Sequence, residues 1–482
     1  MNSDIIPEYA ILGHPNEGKS AVVSTLAEDD SVKVSPTPGE TLHCRIFPVK
    51  IDGREIIHFT DTPGFQLPRQ TLKWMESYSG KSENIVIDFI SAHKHHVDFK
   101  NECELFTPVA RGAGIIFVVD GSRPIRNNDR MEMEILRLTG CPRMAIINCK
   151  EKNEAFINDW KDAFRKSFNS VRMFNAHNAN YGERIALLES LKFIDQDWQG
   201  ALEKVISAFK KDRENRNQRV TEIICDLLDA CLNHSVARTY PTEAEGKAAA
   251  SELKAVYQKE ITTLEKQAFD HIRRLFKHRV FQVNLPQSSV VSESLFDRHT
   301  WQVLGLTQHQ LAGVAAISGG VIGAGLDIAA HGLTFGVFTT IGSVIGAGSV
   351  YFFGEQMAQT HIAGLKLGGY RVTIGPNENF NFPYILLDRA LLYYAYVMNW
   401  AHGRRDYPED NRIMAEHADE KLGFTFRWSL KEKKLSRSYF QALQKKDDLQ
   451  KEMARKPLID LLLKIMEEIS VSGEQLSVDR EQ

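Results

Sequence analysis

The chain is poor in cysteine, and the cysteines it has form no recognisable pattern. Cys44, Cys103, Cys141, Cys149, Cys225 and Cys231 are the only six in 482 residues, with no CxxC pair and no repeated spacing to histidine. Neither a disulfide framework nor a zinc cage is therefore implied, and the six read as reduced thiols. A surplus of one charge is missing too, since the formal net charge is -3; bulk electrostatics thus indicate no nucleic-acid partner. The opening MNSDIIPEYAILG has neither the basic start nor the apolar run of a signal peptide, so a cytoplasmic protein is expected. No Ser/His/Asp or Cys/His arrangement emerges from spacing. What remains is an ordinary globular composition, 43% hydrophobic and 25% charged, in a chain long enough for two or three cores.

From Tyr9 onward, short apolar runs alternate with amphipathic helical patterns, the signature of strands and crossover helices in a mostly parallel sheet. The predicted strands are 9–12, 45–51, 55–60, 114–119, 144–148 and 171–175. They make residues 1–198 an α/β domain with six strands and helices on both faces. Beyond it the pattern turns mainly helical. Leu202, Val205, Ile206 and Phe209 share one helix face, and Leu253, Tyr257, Ile261, Leu264, Ala268, Ile272 and Leu275 share another. Thr242 and Glu245 stand in capping-box spacing at the start of the second helix. Residues 199–300 are thus expected to form a helical hairpin region.

Residues 301–360 contain a glycine-rich apolar stretch in which VIGAG occurs twice, at 321–325 and 344–348. Helices are predicted over 311–326 and 333–353, each with a GxxxG pair, Gly319/Gly323 and Gly342/Gly346, that would let two backbones touch. Two environments stay open for this hairpin, a soluble core and contact with a membrane. Residues 361–482 read as an α+β region, with a glycine-rich turn and strand at 368–376 and helices around 386–400 and 458–469.

The chemistry is concentrated near the N-terminus. Gly13-His14-Pro15-Asn16-Glu17-Gly18-Lys19-Ser20 fits GxxxxGK[ST] between an apolar strand and a helix. Glycines let backbone N–H groups turn inward onto phosphate oxygens, and the helix start adds a favourable dipole. Gly13, Asn16, Glu17, Gly18, Lys19, Ser20 and Ala21 are the candidate phosphate ligands, with Lys19 on the β- and γ-phosphates and Ser20 on magnesium. Asp61-Thr62-Pro63-Gly64 closes a predicted strand, which places Asp61 towards the metal and the Gly64 N–H towards the γ-phosphate. Thr41 is the candidate switch threonine for the metal, with Thr37 as a nearby competitor. Lys19, Thr41 and Gly64 would carry catalysis. His93, His95, His96 and Asp98 lie close together, but HxHH without a flanking scaffold reads as a solvated insertion rather than a metal site.

GHPNEGKS, PGET and DTPG resemble the motifs of the Era and TrmE group of TRAFAC-class GTPases, whose P-loop reads GxPNxGKS. The resemblance covers residues 1–198 and implies GTP or GDP with magnesium, together with potassium at Asn16. GLDIAAHGLTFG, IGPNENFNFPYILLDRALL and AHGRRD extend it to a bacterial family that joins such a GTPase to a C-terminal domain of unknown function. Two positions depart from the group. Where NKxD reads guanine, this chain has Asn148-Cys149-Lys150-Glu151, while Ala176 stands where a backbone N–H meets the guanine oxygen. Phe65 occupies the place of the glutamine that orients the attacking water, so unassisted hydrolysis should be slow, with Glu40 and Arg69 as conceivable helpers.

The expected function is a GTP-dependent switch whose helical C-terminal half engages a protein partner or the inner face of a membrane. Two alternatives remain: a membrane-active structural protein regulated by nucleotide, and a degenerate ATP or GTP sensor without hydrolysis.

Overall fold

The structure is a computed structural model and describes residues 6–28, 41–149, 153–176, 179, 181–194, 196–276, 291–304, 350–353, 361–362, 365–366, 370–398 and 423–478. Strands β1 (Glu8–Leu12), β2 (Arg45–Ile51), β3 (Arg54–Asp61), β4 (Gly114–Asp120), β5 (Arg143–Asn148) and β6 (Ser170–Met173) match the predicted ones to within two residues at every end. They form one sheet in the order β2-β3-β1-β4-β5-β6. Only β2 runs antiparallel to its neighbour. It returns to β3 through Asp52 and Gly53, both at positive φ (51° and 76°), which suits a tight hairpin. The inner strands are covered on both faces and so read as nearly continuous apolar runs.

Successive residues of β1 divide the core in two. Tyr9 and Ile11 join the layer beneath α1 (Lys19–Ala27) and the later helix α7 (Tyr181–Leu191). Ala10 and Leu12 join the opposite layer, with α2 (Pro68–Glu76), α3 (Ile85–His93), α4 (Lys100–Ala110), α5 (Asn127–Leu138) and α6 (Ile157–Phe164). Three of these helices, α2 to α4, fill the connection from β3 to β4. His93 belongs to that filling: its ring packs on Phe99 at 4.2 Å and Nδ1 lies 2.9 Å from the Phe89 carbonyl oxygen. It is therefore a buried core residue rather than a solvated one, whereas His95 and His96 are exposed. No group of three or more His, Cys, Asp or Glu side chains that could hold a metal ion is found among the described residues.

Helix α8 (Gln196–Leu232) ties the two halves of the chain together. It is 37 residues long, about 55 Å at the α-helical rise. Leu202, Val205, Ile206 and Phe209 pack into the sheet domain, while Val220, Ile224, Leu228 and Leu232 belong to a separate C-terminal core. The boundary expected at 198/199 lies inside this helix.

Antiparallel β7 (Val236–Tyr240) follows, and then α9 (Glu243–Leu275), whose start is capped as expected by Thr242 Oγ1 accepting from Glu245 N. Helix α10 (Arg298–Leu304) and strands β8 (Val350–Phe353), β9 (His361–Ile362), β10 (Leu365–Lys366) and β11 (Tyr370–Ile374) lead to α11 (Phe382–Met398), α12 (Leu430–Lys445) and α13 (Asp448–Val478). The three-stranded sheet β7-β11-β8 corrects one expectation. Residues 350–353, predicted as the end of a helical arm, are a strand, because this β-prone run satisfies its backbone by antiparallel pairing with β11. The rest of the predicted glycine-rich hairpin, both GxxxG pairs included, lies outside the described residues. No described helix is long and apolar enough to cross a membrane.

Candidate nucleotide site

The phosphate loop follows directly from β1. Gly13 has φ of 147°, and a side chain there would put Cβ 2.3 Å from the Val118 carbonyl oxygen, so only glycine fits. Asn16 (φ 66°) and Gly18 (φ 94°) keep the loop curled until α1 begins, and no side chain caps that helix. The first intrahelical bond runs from Val22 N to Gly18 O. The preceding N–H groups, through Ala21, therefore lack intrahelical acceptors at the positive end of the helix dipole. Lys19 folds its ammonium over the loop and donates to the carbonyl oxygens of Gly13 (3.2 Å) and His14 (2.9 Å).

A second corner gathers oxygen donors. Ser20 Oγ donates to Asp61 Oδ2 at 2.8 Å, and Thr41 Oγ1 donates to the same oxygen at 3.3 Å. Asp61 Oδ1 is buried and has no hydrogen-bond partner among the described residues. Burial pushes the Asp61 carboxyl up, against the downward pull of Ser20, Lys19 and Thr41. Two hydroxyls and a carboxylate with a spare buried oxygen are the hard donor set that magnesium prefers, so these residues fit the ion. Thr37 lies outside the described residues. Gly64 is laid against the loop, since a Cβ there would fall 2.5 Å from Pro15 N, and Phe65 N donates to Gly13 O at 3.3 Å. The Phe65 ring is fully buried and meets Phe106 edge-on, 6.0 Å away. Arg69 is exposed on α2, and Glu40 lies outside the described residues.

At the end of β5, Asn148 joins the phosphate loop to the loop after β6. Its Nδ2 donates to Glu17 O at 3.0 Å, and its Oδ1 accepts from Ala176 N at 3.2 Å. Thr25 Oγ1 holds Ala176 from the other side, at 2.9 Å from its carbonyl oxygen. Lys150 and Glu151 lie outside the described residues.

Glu17, expected among the phosphate ligands, turns its side chain elsewhere. It accepts from Asp120 N and from Arg123 Nη2 at 2.6 Å, so towards a phosphate it offers only its backbone N–H. Arg123 in turn reaches Asp129 Oδ2 at 2.7 Å. A parallel contact joins His14 Nδ1 to Glu132 Oε1 at 2.8 Å. Asp129 and Glu132, three apart on α5, thus brace two residues of the phosphate loop. Sequence reasoning missed this brace, whose only mark is an arginine three residues after the end of β4.

The brace should be sensitive to pH. Burial pushes the Glu132 carboxyl up to about 7, and its hydrogen bond raises the His14 imidazole. Both groups bind protons more tightly in the folded chain than in the unfolded one. The stability they contribute is complete below the unfolded carboxyl value and is lost as pH rises through the folded values. Between about pH 5 and about pH 8 the melting temperature of the wild type should therefore fall relative to that of Glu132→Gln. Parallel curves in scanning calorimetry would show that the pair does not titrate in this range.

Comparison with known proteins finds two family matches along the chain. Residues 161–463, well over half of the chain, match the family described as Domain of unknown function (DUF3482). The chain belongs to that family. Residues 8–149 match the model described as 50S ribosome-binding GTPase, so the N-terminal part is a P-loop GTPase domain. The DUF3482 match begins within α6, so it takes in the last strand of the GTPase sheet as well as the helical half. GTPase Der of Agathobacter rectalis is 27% identical over 246 residues, covering 51% of this chain and 47% of Der. GTPase Der of Psychrobacter arcticus is 32% identical over 98 residues, 19% of this chain and 20% of its own length. The chain thus spans about half the length of the first relative and a fifth of the second. Among solved structures, Aquifex aeolicus Era bound to GDP.AlF4- aligns at 14% identity with a TM-score of 0.28, covering 56% of this chain and 90% of that one. At that score the superposition adds no argument of its own.

Proposed function

We propose that this DUF3482 protein is a GTP-dependent switch. In this reading GTP and magnesium occupy the loop of residues 13–20, and the ion is held by Ser20, Thr41 and Asp61. The observation that carries it is the convergence of two hydroxyls on one oxygen of Asp61 while the other oxygen is buried and unbonded. The ion would neutralise phosphate charge, Lys19 would bind the β- and γ-phosphates, and the Gly64 N–H would report the γ-phosphate. The Ala176 N–H, expected to meet the guanine oxygen, donates instead to Asn148 Oδ1 and ties together the corner where the base would sit.

The output runs towards the C-terminal half, for presentation to a protein partner. Its support is Glu28, at the end of α1 where the first switch departs. That carboxylate is gripped by Arg184 of α7 at 2.5 Å and by Arg216 of α8 at 2.8 Å. Arg216 also pairs with Asp212 and lies 5.7 Å from the Phe276 ring centroid, at the end of α9. A shift at the root of the switch is thereby passed to a helix that enters the second core.

Hydrolysis is expected to be slow, because Phe65 is turned into the core and no side chain at that position can orient water. Turnover of the isolated protein should stay below about 0.01 per second, the range of unassisted GTPases. The test is calorimetric titration with GTP, GDP and ATP in magnesium, followed by single-turnover phosphate release. Preference for GTP and GDP over ATP with slow release supports the reading. Equal binding of ATP, or brisk release, contradicts it.

A further inference from the structure

Helix α4 stands between the two segments that a nucleotide switch must move. Its N-terminal turn carries Glu102, which is fully buried, and one oxygen of that carboxylate accepts from both Gln66 N (2.7 Å) and Leu67 N (2.5 Å). Those residues immediately follow Gly64 and Phe65. Two residues further along the helix, Glu104 Oε1 accepts from Cys44 N at 2.8 Å, and the Cys44 thiol donates to Glu104 O at 3.0 Å. Cys44 comes three residues after Thr41, at the entrance to β2. Burial pushes this thiol up to about 12, so it remains a protonated donor.

The spacing decides what the helix does. Residues two apart on an α-helix are about 200° apart around its axis, so Glu102 and Glu104 face different loops. Leu105, Phe106 and Val109 fix the remaining side of α4 in the core. Carboxylate bonds to backbone N–H groups are charge-assisted, and Glu102 also gains from its place in the first helical turn. One rigidly seated helix therefore holds the backbone after Gly64 and the backbone after Thr41 together.

We propose that Glu102 and Glu104 are positioning residues that set both switch segments as a unit, so that Thr41 and Gly64 reach the γ-phosphate side of the site together. The proposal rests on the nucleotide-site reading above. It makes a demand that a purely structural role does not: the two carboxylates must matter for the nucleotide that has a γ-phosphate and not for the one that lacks it.

The test is titration of the full chain with magnesium and either GDP or GTPγS. Glu104→Ala, at a half-buried rim position, and Glu102→Ala should each weaken GTPγS about tenfold more than GDP, the loss expected for a charge-assisted hydrogen bond. Glu102→Gln keeps an acceptor oxygen and should restore most of the ratio. An unchanged ratio of the two affinities in Glu104→Ala, or equal losses for both nucleotides, overturns the proposal, as does a Glu102→Gln protein impaired like Glu102→Ala. A wild type that binds neither nucleotide refutes the nucleotide-site reading and this inference with it.

Discussion

Arg123→Met is expected to destabilise the GTPase domain by about 3–5 kcal/mol, the loss typical when one partner of a buried ion pair is removed. Arg123 contacts Glu17 at 2.6 Å and Asp129 at 2.7 Å, and both carboxylates are almost completely buried. Burial opposes the charge on Arg123, but the two carboxylates outweigh it and hold the guanidinium above its ordinary range. The guanidinium carbon also lies 5.4 Å from the centre of the Trp160 ring, whose Nε1 donates to the Arg123 carbonyl oxygen at 2.8 Å. Methionine would fill the space and leave two buried anions without a cation. Arg123→Lys should recover only part of the loss, because a single ammonium cannot reproduce the fork that reaches both partners. Glu17 immediately precedes Gly18, so the same substitution should also loosen the phosphate loop and weaken nucleotide binding. Denaturant unfolding measures the first effect and titration the second. A change below about 1 kcal/mol, the range of exposed pairs, would show that water reaches this network.

A second large effect is expected in the C-terminal half. Arg389 of α11 meets Glu265 of α9 in a two-pronged pair, Nε to Oε1 at 2.6 Å and Nη2 to Oε2 at 3.0 Å. Its Nη2 also donates to the carbonyl oxygens of Val291 and Glu293, each at 3.2 Å. Both side chains are all but excluded from solvent. Arg389→Met should therefore remove about 3–5 kcal/mol from this core by stranding the Glu265 carboxylate. The double variant Glu265→Leu/Arg389→Met should recover most of that loss, since a buried pair can be replaced by apolar side chains at little net cost. Thermal unfolding followed by circular dichroism distinguishes the two. If the double variant is as unstable as the single one, then the bonds to Val291 and Glu293, rather than the ion pair, hold the helices together.

The GTPase sheet and the corner around Asp61 could be read in the sequence because their signals are local. Buried parallel strands are continuous apolar runs, and a phosphate loop requires glycines and a lysine at fixed spacing. Thr41 and Ser20 do converge on Asp61, although 41 residues separate Ser20 from it. What stayed hidden depends on distant partners. Val350–Phe353 and Val236–Tyr240 are strands only because each pairs with β11, and a short apolar run does not reveal its period. Glu17, Glu102, Asp129 and Glu132 are buried carboxylates, yet in sequence each resembles a solvated charge on a loop or an amphipathic helix. Burial of such groups is fixed by Arg123, His14 and backbone N–H donors brought in by the fold, and no local pattern announces it.

The central claim, that residues 13–20 hold the phosphates of a guanine nucleotide, is tested most directly by titrating the wild type and Lys19→Ala with GTP in magnesium and following their thermal unfolding without nucleotide. A charge-assisted contact to phosphate contributes about 1.5–3 kcal/mol, so Lys19→Ala should lose at least about tenfold in affinity while still unfolding cooperatively. Equal affinity in the two proteins would contradict the account.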